Sequence, residues 1–243
     1  MTETGTAPQR RTTEPPMPRT IVVGDIHGCL DELQRLLAKA GYQRGERLVF
    51  AGDMIAKGPD SAGVLQLARE AGALAVIGNH DDRVLLARAV ALGTAQPPEK
   101  GIRREHQKVA EALTAADWEF LLGLPPFLRL GPEGPGDADT VVLHAGAVPG
   151  IPLEKQTREH LTTMRSIDDR GKPTKRIEGR PWASLWQGPE RIIFGHDALR
   201  GLQQYRLTVG LDTGCVYGNR LTALILPERR LVSVEARDVY AEH

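Results

Sequence analysis

The amino-acid sequence predicts an α/β fold, in which short buried strands alternate with helices. The first observation is a series of apolar, β-branched runs, each about as long as one buried strand and each ending in glycine and polar residues: TIVVGD, RLVFAGD, ALAVIGNH, TVVLHAG and RIIFGHD. The second is the helical spacing of apolar residues in the segments between the first three runs. The folded part of the chain is therefore predicted to begin with a β-α-β-α-β unit.

The 243-residue chain is predicted to divide into a tail and one domain. Residues 1–18 are rich in Thr, Pro, Glu and Arg, so they cannot bury enough apolar surface to offset the entropy lost on ordering. We expect this tail to be disordered. The chain is 41% hydrophobic, which is enough for a substantial core, and residues 19–243 are predicted to form that core as a single domain.

Helices are predicted from apolar residues that recur on one face. The residues that share such a face are Leu30, Leu33, Leu37 and Ala40 in the first helix and Val64, Leu67, Ala68 and Ala71 in the second. A third helix is predicted over Val84–Leu92, and Glu105–Leu124 is predicted to be largely helical. Gly131–Asp139 is a turn-rich connection, and Leu207–Asp238 alternates strand-like runs with turns.

The charge balance excludes some classes of partner. Lys and Arg together number 31, as do Asp and Glu, so no global basic field favours non-specific binding to nucleic acid or to a membrane surface. The two cysteines, Cys29 and Cys215, are too few for a disulfide framework and are interpreted as small buried residues. Because no secretory or membrane-spanning segment is evident, we expect a cytoplasmic protein, and we expect a monomer.

Five of the strand-like runs end in side chains that can bind a metal ion. These side chains are Asp25 and His27, Asp53, Asn79 and His80, His144, and His196. The carboxyl ends of parallel strands line one crevice, so residues that are distant in sequence should meet there. Oxygen and nitrogen ligands without cysteine suit Mn²⁺, Fe, Zn²⁺ or Co²⁺.

Each of these residues alone has a simpler interpretation. An Asp after a strand often caps the next helix, as Asp31 or Asp60 would do. A single histidine is more often an ordinary polar residue than a ligand, and His106 and His160 are interpreted in that way. The argument for a metal site depends on the whole set, because so many ligand-type residues at matching strand ends are improbable as caps and turns together.

Five motifs occur in an order that resembles the calcineurin-like metallophosphoesterases, in particular the PPP-type phosphatase branch. They are GDIHG (Gly24–Gly28), GDMIAKGPDS (Gly52–Ser61), GNHD (Gly78–Asp81), HAG (His144–Gly146) and GHD (Gly195–Asp197). The resemblance spans about Thr20 to Leu226. It implies a four-layer α-β-β-α sandwich of two mixed sheets flanked by helices, with residues 19–243 as one catalytic domain.

The resemblance also implies roles for the motif residues. One metal would be held by Asp25, His27 and Asp53, and the other by Asp53, Asn79, His144 and His196, with Asp53 as the bridge. Two divalent ions per chain are expected, Mn²⁺ first, with Co²⁺, Fe and Zn²⁺ as alternatives. Such ions can lower the pKa of a bound water from about 15.7 to ~7 and so supply a nucleophile.

Three further residues match catalytic positions of the family. His80 matches the general acid that protonates the leaving oxygen. Lys57 and Arg165 match cations that bind phosphate, and both would neutralise charge that develops on the phosphoryl oxygens. For both, a solvated surface charge is the simpler interpretation.

The second motif points to a branch of the family. Protein Ser/Thr phosphatases have Asp-Arg where this chain has Ala56-Lys57, and that Asp supports the catalytic histidine, which Ala56 cannot do. GDMIAKGPDS, LTTMRSID (Leu161–Asp168) and LDTGCVYGNRLTAL (Leu211–Leu224) instead resemble the symmetrical bis(5′-nucleosyl)-tetraphosphatases. This implies cleavage of diadenosine tetraphosphate into two ADP. Tyr217, in the last segment, is compatible with base stacking, phosphate contact or packing.

Two alternatives remain open at this point. A protein Ser/Thr or Tyr phosphatase, or a broad phosphomonoesterase, would share every metal ligand, so the partner would then be a phosphoprotein rather than a dinucleoside polyphosphate. A non-catalytic, metal-bound interaction module would have no need of the complete ligand set with His80.

Overall fold

The computed structural model describes residues 18–242, so the predicted tail lies outside the described residues except for Pro18. The helices are α1 (Leu30–Ala40), α2 (Ser61–Ala71), α3 (Asn79–Ala91), α4 (Arg104–Ala112), α5 (Ala115–Leu122), α6 (Arg158–Thr163) and α7 (Trp182–Leu185). Two 3₁₀ turns cover Leu153–Lys155 and Cys215–Tyr217. Within these residues, no helix combines the length and the apolar composition needed to cross a bilayer.

The strands of the described residues form two five-stranded mixed sheets and a small third sheet. They are β1 (Thr20–Val23), β2 (Arg47–Phe50), β3 (Leu74–Ala75), β4 (Phe127–Pro132), β5 (Asp139–Leu143), β6 (Ser166–Ile167), β7 (Pro173–Thr174), β8 (Arg180–Pro181), β9 (Arg191–Phe194), β10 (Gln203–Gln204), β11 (Thr208–Gly210), β12 (Arg220–Leu226) and β13 (Arg230–Glu235). The orders are β13-β12-β1-β2-β3, β10-β11-β9-β5-β4 and β7-β6-β8.

Strand β1 shows why the sheets stack. Its side chains alternate between the two faces of the sheet, and all of them are buried. Ile21 and Val23 pack with Leu33 of α1 on one face, whereas Val22 packs on the other face with residues of the second sheet such as Val142. Burying one such side chain fully is worth about 1.5–3 kcal/mol. The near-continuous apolar runs are therefore the signature of strands covered on both sides.

The second sheet is covered in the same manner on its outer face. Leu143 and Phe194 pack there against Trp182 of α7 and Leu161 of α6. Helices, sheet, sheet and helices thus follow one another as four layers, so the predicted sandwich of two mixed sheets flanked by helices is confirmed.

Parallel pairing brings the strand ends together. β1 is parallel to β2 and β2 to β3 in the first sheet, and β5 is parallel to β9 in the second. The loops that follow the carboxyl ends of these strands therefore emerge at the same edge of the sandwich, which is where the predicted ligands lie.

Two helix boundaries differ from the sequence prediction. α3 begins at Asn79 rather than at Val84, because the side chain of Asp81 accepts a hydrogen bond from the backbone amide of Gly78 at 3.0 Å and caps the first turn. The segment predicted as one largely helical stretch is two helices, since Thr114 and Asp117 form a capping box that starts α5. The predicted β-α-β-α-β start is confirmed.

Candidate metal centre

Asp53 lies at the centre of the site because it belongs to two groups of potential ligands. One group is Asp25, His27 and Asp53, and the other is Asp53, His144 and His196. In each group the ligand atoms lie within 4.8 Å of one another. The arrangement has the form expected of a carboxylate that serves two cations.

Backbone amides orient both carboxylates. The amide of His196 donates to Oδ1 of Asp25 at 2.9 Å, and the amide of His80 donates to Oδ1 of Asp53 at 2.8 Å. The Oδ2 atoms face the histidines, with Asp53 Oδ2 lying 3.6 Å from His27 Nε2 and 3.4 Å from His144 Nε2. Each carboxylate therefore has one oxygen engaged with the protein and one directed into the site.

The three predicted histidine ligands each contact a backbone carbonyl with one ring nitrogen. His144 Nδ1 lies 2.8 Å from the carbonyl of Ala51, His27 Nδ1 lies 3.3 Å from that of Ile55, and His196 Nε2 lies 3.0 Å from that of Thr163. A carbonyl oxygen only accepts, so the contacting nitrogen carries the hydrogen. In a neutral ring the other nitrogen then has the lone pair that a metal ion requires.

Asn79 completes the second group from the start of α3. Its Oδ1 lies 3.1 Å from His144 Nε2, so in the neutral form of His144 two acceptors would face each other. A proton or a metal ion between the two atoms would remove this conflict. Although burial opposes a positive charge on the ring, the carboxylates of Asp53 and Asp25 raise the pKa of His144 to about 10.

The buried carboxylates of the site also need positive charge nearby if they are to stay ionised. Burial, together with the nearby carboxylates of Asp212 and Asp53, raises the pKa of Asp25 well above its usual range. Two divalent cations would supply charge that keeps these carboxylates ionised. The donor set of carboxylate, imidazole and amide therefore fits divalent metal ions, as the prediction required.

The backbone of the site adopts unusual conformations. His27, Asp53 and His196 have φ values of 50°, 46° and 69°, a region that residues other than glycine seldom adopt. Glycines provide the space around them: a Cβ built on Gly78 would collide with Asp53, and one on Gly195 would collide with Oδ1 of Asp25. Strain of this kind is typical of functional sites.

One cavity of about 220 Å³, here called the metal cavity, brings the predicted residues together. Its lining includes Asp25, His27, Asp53, Lys57, Asn79, His80, Arg165, His196, Asp212 and Tyr217. His144 is fully buried and reaches the same ligand group from β5. The structure thus brings all the predicted ligands and the three predicted catalytic residues to one place, and their individual roles stay predictions.

Lys57, in the loop after β2, and Arg165, directly before β6, both line the metal cavity. Lys57 Nζ lies 2.9 Å from the hydroxyl of Tyr217 and 3.1 Å from His27 Nε2. Arg165 donates to the carbonyl of His196 at 3.0 Å, and its Nε lies 3.6 Å from Asp197. Both cations are therefore held by the protein at the edge of the cavity instead of extending into solvent.

The side chain of His80 is only partly exposed, and its ring contacts a second histidine that the sequence did not indicate as a partner. Its Nδ1 lies 3.0 Å from Nε2 of His106, which is only 2% exposed. His106 is thus a hydrogen-bonded polar residue, as interpreted from the sequence, but its partner is a residue of the site. No motif marks His106 in the sequence, because the contact depends on how α4 packs against α3.

Two further carboxylates contribute to the site, although the sequence analysis assigned them no role. Asp81 accepts from the amides of Met54, Ile55 and Gly78, and so ties the second motif to the start of α3. Asp212, in the last segment of resemblance, is buried beside the metal cavity. Both residues are carboxylates within segments that carry the family resemblance, and that position could have indicated a role.

Asp60 caps α2 by accepting from the amide of Gly63 at 2.7 Å, and Cys29 and Cys215 are buried, as predicted. Asp31 lies in the first turn of α1 without capping it, and pairs with Arg35.

The fold and the site define a metallophosphoesterase: two stacked mixed sheets place carboxylate, imidazole and amide ligands at one edge. The model of the calcineurin-like phosphoesterase family matches residues 18–226, and the chain belongs to that family. Membership implies a phosphoesterase that binds divalent metal ions.

Three relatives illustrate the similarity. The chain is 29% identical to bis(5′-nucleosyl)-tetraphosphatase PrpE [asymmetrical] of Oceanobacillus iheyensis, over 90% of this chain and 93% of the relative. It is 28% identical to a symmetrical bis(5′-nucleosyl)-tetraphosphatase of Vibrio parahaemolyticus, over 90% and 99% of the two chains. The crystal structure of a candidate diadenosine tetraphosphatase superposes with a TM-score of 0.78 and 36% identity, covering 91% of this chain and 95% of the other.

Proposed function

We propose that this protein is a dinuclear metal-dependent hydrolase of dinucleoside tetraphosphates, with diadenosine tetraphosphate as the substrate. The observation that carries the dinuclear site is the position of Asp53 in both ligand groups. The substrate class is supported by the relatives that are named bis(5′-nucleosyl)-tetraphosphatase.

The ligands would divide as the sequence predicts. Asp25, His27 and Asp53 would hold one divalent ion, and Asp53, Asn79, His144 and His196 would hold the other, with Mn²⁺ as the first candidate and Co²⁺, Fe or Zn²⁺ as alternatives. When bound, such a pair supplies a water of lowered pKa and stabilises charge on the phosphoryl oxygens. No protein nucleophile is needed.

Three side chains of the protein would bind the phosphate oxygens and donate the proton to the leaving group. The ammonium of Lys57 and the guanidinium of Arg165 would bind phosphate oxygens at the edge of the metal cavity. His80 would donate a proton from Nε2 to the oxygen of the leaving group, since its Nδ1 is engaged by His106.

A second cavity supports a substrate larger than a phosphomonoester. A groove of about 420 Å³ adjoins the metal cavity, with Lys57 on the wall of both. We call it the Lys57 groove; it also includes Lys108 and the apolar side chains of Val109 and Leu113. A polyphosphate chain that ends in a nucleoside can use such a groove, because the phosphates contact the lysines and the base contacts the apolar wall.

Symmetric and asymmetric hydrolysis of the tetraphosphate differ in which phosphoanhydride bond is broken. The sequence predicts symmetric cleavage to two ADP, and the Vibrio relative carries that specificity in its name. The Oceanobacillus relative, of comparable identity, is named for asymmetric cleavage. Symmetric cleavage therefore stays a prediction, and asymmetric cleavage to ATP and AMP is its direct competitor.

One assay tests the proposal. The metal-free protein is reconstituted with Mn²⁺, Co²⁺, Zn²⁺ or Mg²⁺, and products are separated after incubation with diadenosine tetraphosphate, a phosphopeptide or p-nitrophenyl phosphate. We expect kcat/KM to be highest for the tetraphosphate. Two ADP would confirm the symmetric cut, ATP with AMP would refute it, and a higher kcat/KM for the phosphopeptide would favour a protein phosphatase.

A further inference from the structure

The imidazole of His80 is held by a second histidine. His80 Nδ1 and His106 Nε2 are 3.0 Å apart, and the ring centroids are 5.1 Å apart with 35° between the ring planes. His106 lies in the first turn of α4 and is 2% exposed. The contact joins two helices, so the packing of α4 on α3 sets the direction of the His80 ring.

The neighbouring loop offers His80 no side-chain acceptor at Ala56. Ala56 is fully buried and carries only a methyl group. The backbone of His80 is fixed separately, by the hydrogen bond from its amide to Asp53. In the described part of the chain, the hydrogen-bond partner of the His80 ring is His106.

The chemistry of two imidazoles decides the direction of the hydrogen bond. Only one of the two facing nitrogens can carry the hydrogen. If His80 is to donate a proton from Nε2, its Nδ1 must also carry a hydrogen, and His106 Nε2 must then accept it. His106 therefore has to be neutral, with its own hydrogen on Nδ1.

The surroundings of His106 favour the neutral ring. Burial lowers the pKa of His106, although the carboxylate of Glu105 opposes the effect, and Arg83 and Arg103 lower it further. Glu105 Oε1 lies 3.8 Å from His106 Nε2, beyond hydrogen-bonding distance. A neutral His106 accepts at Nε2 when its hydrogen is on Nδ1, an atom that is buried and has no hydrogen-bond partner among the described residues.

We propose that His106 is a positioning residue, whose Nε2 accepts a hydrogen bond from Nδ1 of His80 and keeps Nε2 of His80 directed to the leaving-group oxygen. The proposal rests on the proposed function only in taking His80 as the general acid. His106 itself is not among the residues that line the metal cavity.

The proposal predicts a dependence on the leaving group. A leaving group that departs readily as an anion, such as p-nitrophenolate, needs little help from an acid. Phenolate, whose conjugate acid has a pKa of about 10 as in tyrosine, needs more. Loss of the hydrogen bond between His80 and His106 should therefore slow the hydrolysis of phenyl phosphate more than that of p-nitrophenyl phosphate.

The experiment compares His106→Ala with the unmodified enzyme on p-nitrophenyl phosphate, phenyl phosphate and diadenosine tetraphosphate. We expect kcat for phenyl phosphate to fall by about 10- to 100-fold, while kcat for p-nitrophenyl phosphate stays within about threefold and KM changes little. An equal loss on both aryl esters would overturn the proposal, since a purely structural defect does not distinguish leaving groups.

Two further variants separate positioning from folding. His106→Gln keeps an acceptor near the position of Nε2 and should recover most of the lost rate on phenyl phosphate. Gln107→Ala, at an exposed neighbouring position of α4, should behave like the unmodified enzyme. If His106→Gln is as slow as His106→Ala although both melt normally, the hydrogen bond is not the cause.

Metal analysis tests the competing interpretation of this cluster. Ligand atoms of His80, Glu105 and His106 lie within 4.8 Å of one another, an arrangement that could also hold a cation. Equal metal content in His106→Ala and the unmodified enzyme supports positioning, and one ion fewer in the variant overturns it. If diadenosine tetraphosphate is not cleaved, the proposed substrate fails, yet the two aryl esters still decide the role of His106.

Discussion

The backbone amide of His80 donates a hydrogen bond to Oδ1 of Asp53 at 2.8 Å. The carboxylate shared by both ligand groups is thus held by the main chain of the proposed general acid, and not by its imidazole. Side-chain changes at position 80 leave this hydrogen bond in place, so the roles of the two residues can be separated by substitution.

Asp53→Asn should weaken both metal sites at once. An amide lacks the charge and the second anionic oxygen that a bridge between two cations requires. Metal content of the purified variant should fall well below that of the unmodified protein, and turnover should collapse. Asp82→Asn serves as the control, because the Asp82 carboxylate pairs with Arg158 and belongs to neither ligand group. Retention of two ions with near-normal turnover would falsify the bridging role.

His80→Asn should affect rate without affecting metal occupancy. The amide of residue 80 still supports Asp53, whereas the proton donor is gone, so turnover of diadenosine tetraphosphate should fall by about 10²–10⁴-fold. Metal analysis and steady-state kinetics on the same preparation check both statements. If the variant has lost a metal ion, His80 is a ligand and the assignment of Asn79 has to be revised.

Gly78→Ala should disturb the site by crowding. The added methyl group would collide with the backbone nitrogen and Oδ1 of Asp53, and overpacking of this kind costs about 1–3 kcal/mol. Both the melting temperature and the metal content should fall. Gly123→Ala is the matched control, because a Cβ there meets only ordinary contacts at 3.5 Å. If Gly78→Ala and Gly123→Ala had the same melting temperature and metal content, the close approach of Gly78 to Asp53 would be contradicted.

Asp117→Asn should reduce stability in a pH-dependent way. Although burial acts to raise it, hydrogen bonds from Thr114 and pairing with Arg69 lower the pKa of Asp117 below its ordinary value of 3.8. A group whose pKa is lowered by folding stabilises the protein above its unfolded pKa, and that stability is lost as the pH falls through the folded pKa.

The difference in free energy of unfolding between the Asp117→Asn variant and the unmodified protein should therefore be about 1–3 kcal/mol near neutral pH and shrink below pH ~4. Urea unfolding at a series of pH values measures it. Glu119→Gln, an exposed position of the same helix, should show little difference at any pH. If the difference in free energy of unfolding grew towards low pH, the lowered pKa of Asp117 would be contradicted.

Much of the site was predictable because its residues follow apolar runs directly. Asp25, Asp53 and His144 each come at the end of a buried strand; parallel pairing brings Asp25 and Asp53 together in the first sheet, and the packing of the second sheet adds His144. The motif order supplied the sandwich, which composition and periodicity alone do not specify.

Other features depend on contacts that the sequence does not display. The start of α3 at Asn79 was missed, because Gly-Asn-His suggests a turn until the capping role of Asp81 is seen. The contact of His106 with His80 was missed because it arises from the packing of two helices, and no local pattern distinguishes a histidine that contacts another histidine from one that contacts water.

The division of the ligands between the two sheets has a consequence for the maturation of the protein. Asp25, His27, Asp53 and Asn79 follow strands of the first sheet, whereas His144 and His196 follow strands of the second. A chain whose halves have not docked cannot assemble the second ligand group. Under the proposed ligand assignment, bound cations would therefore stabilise only molecules in which the two sheets have docked.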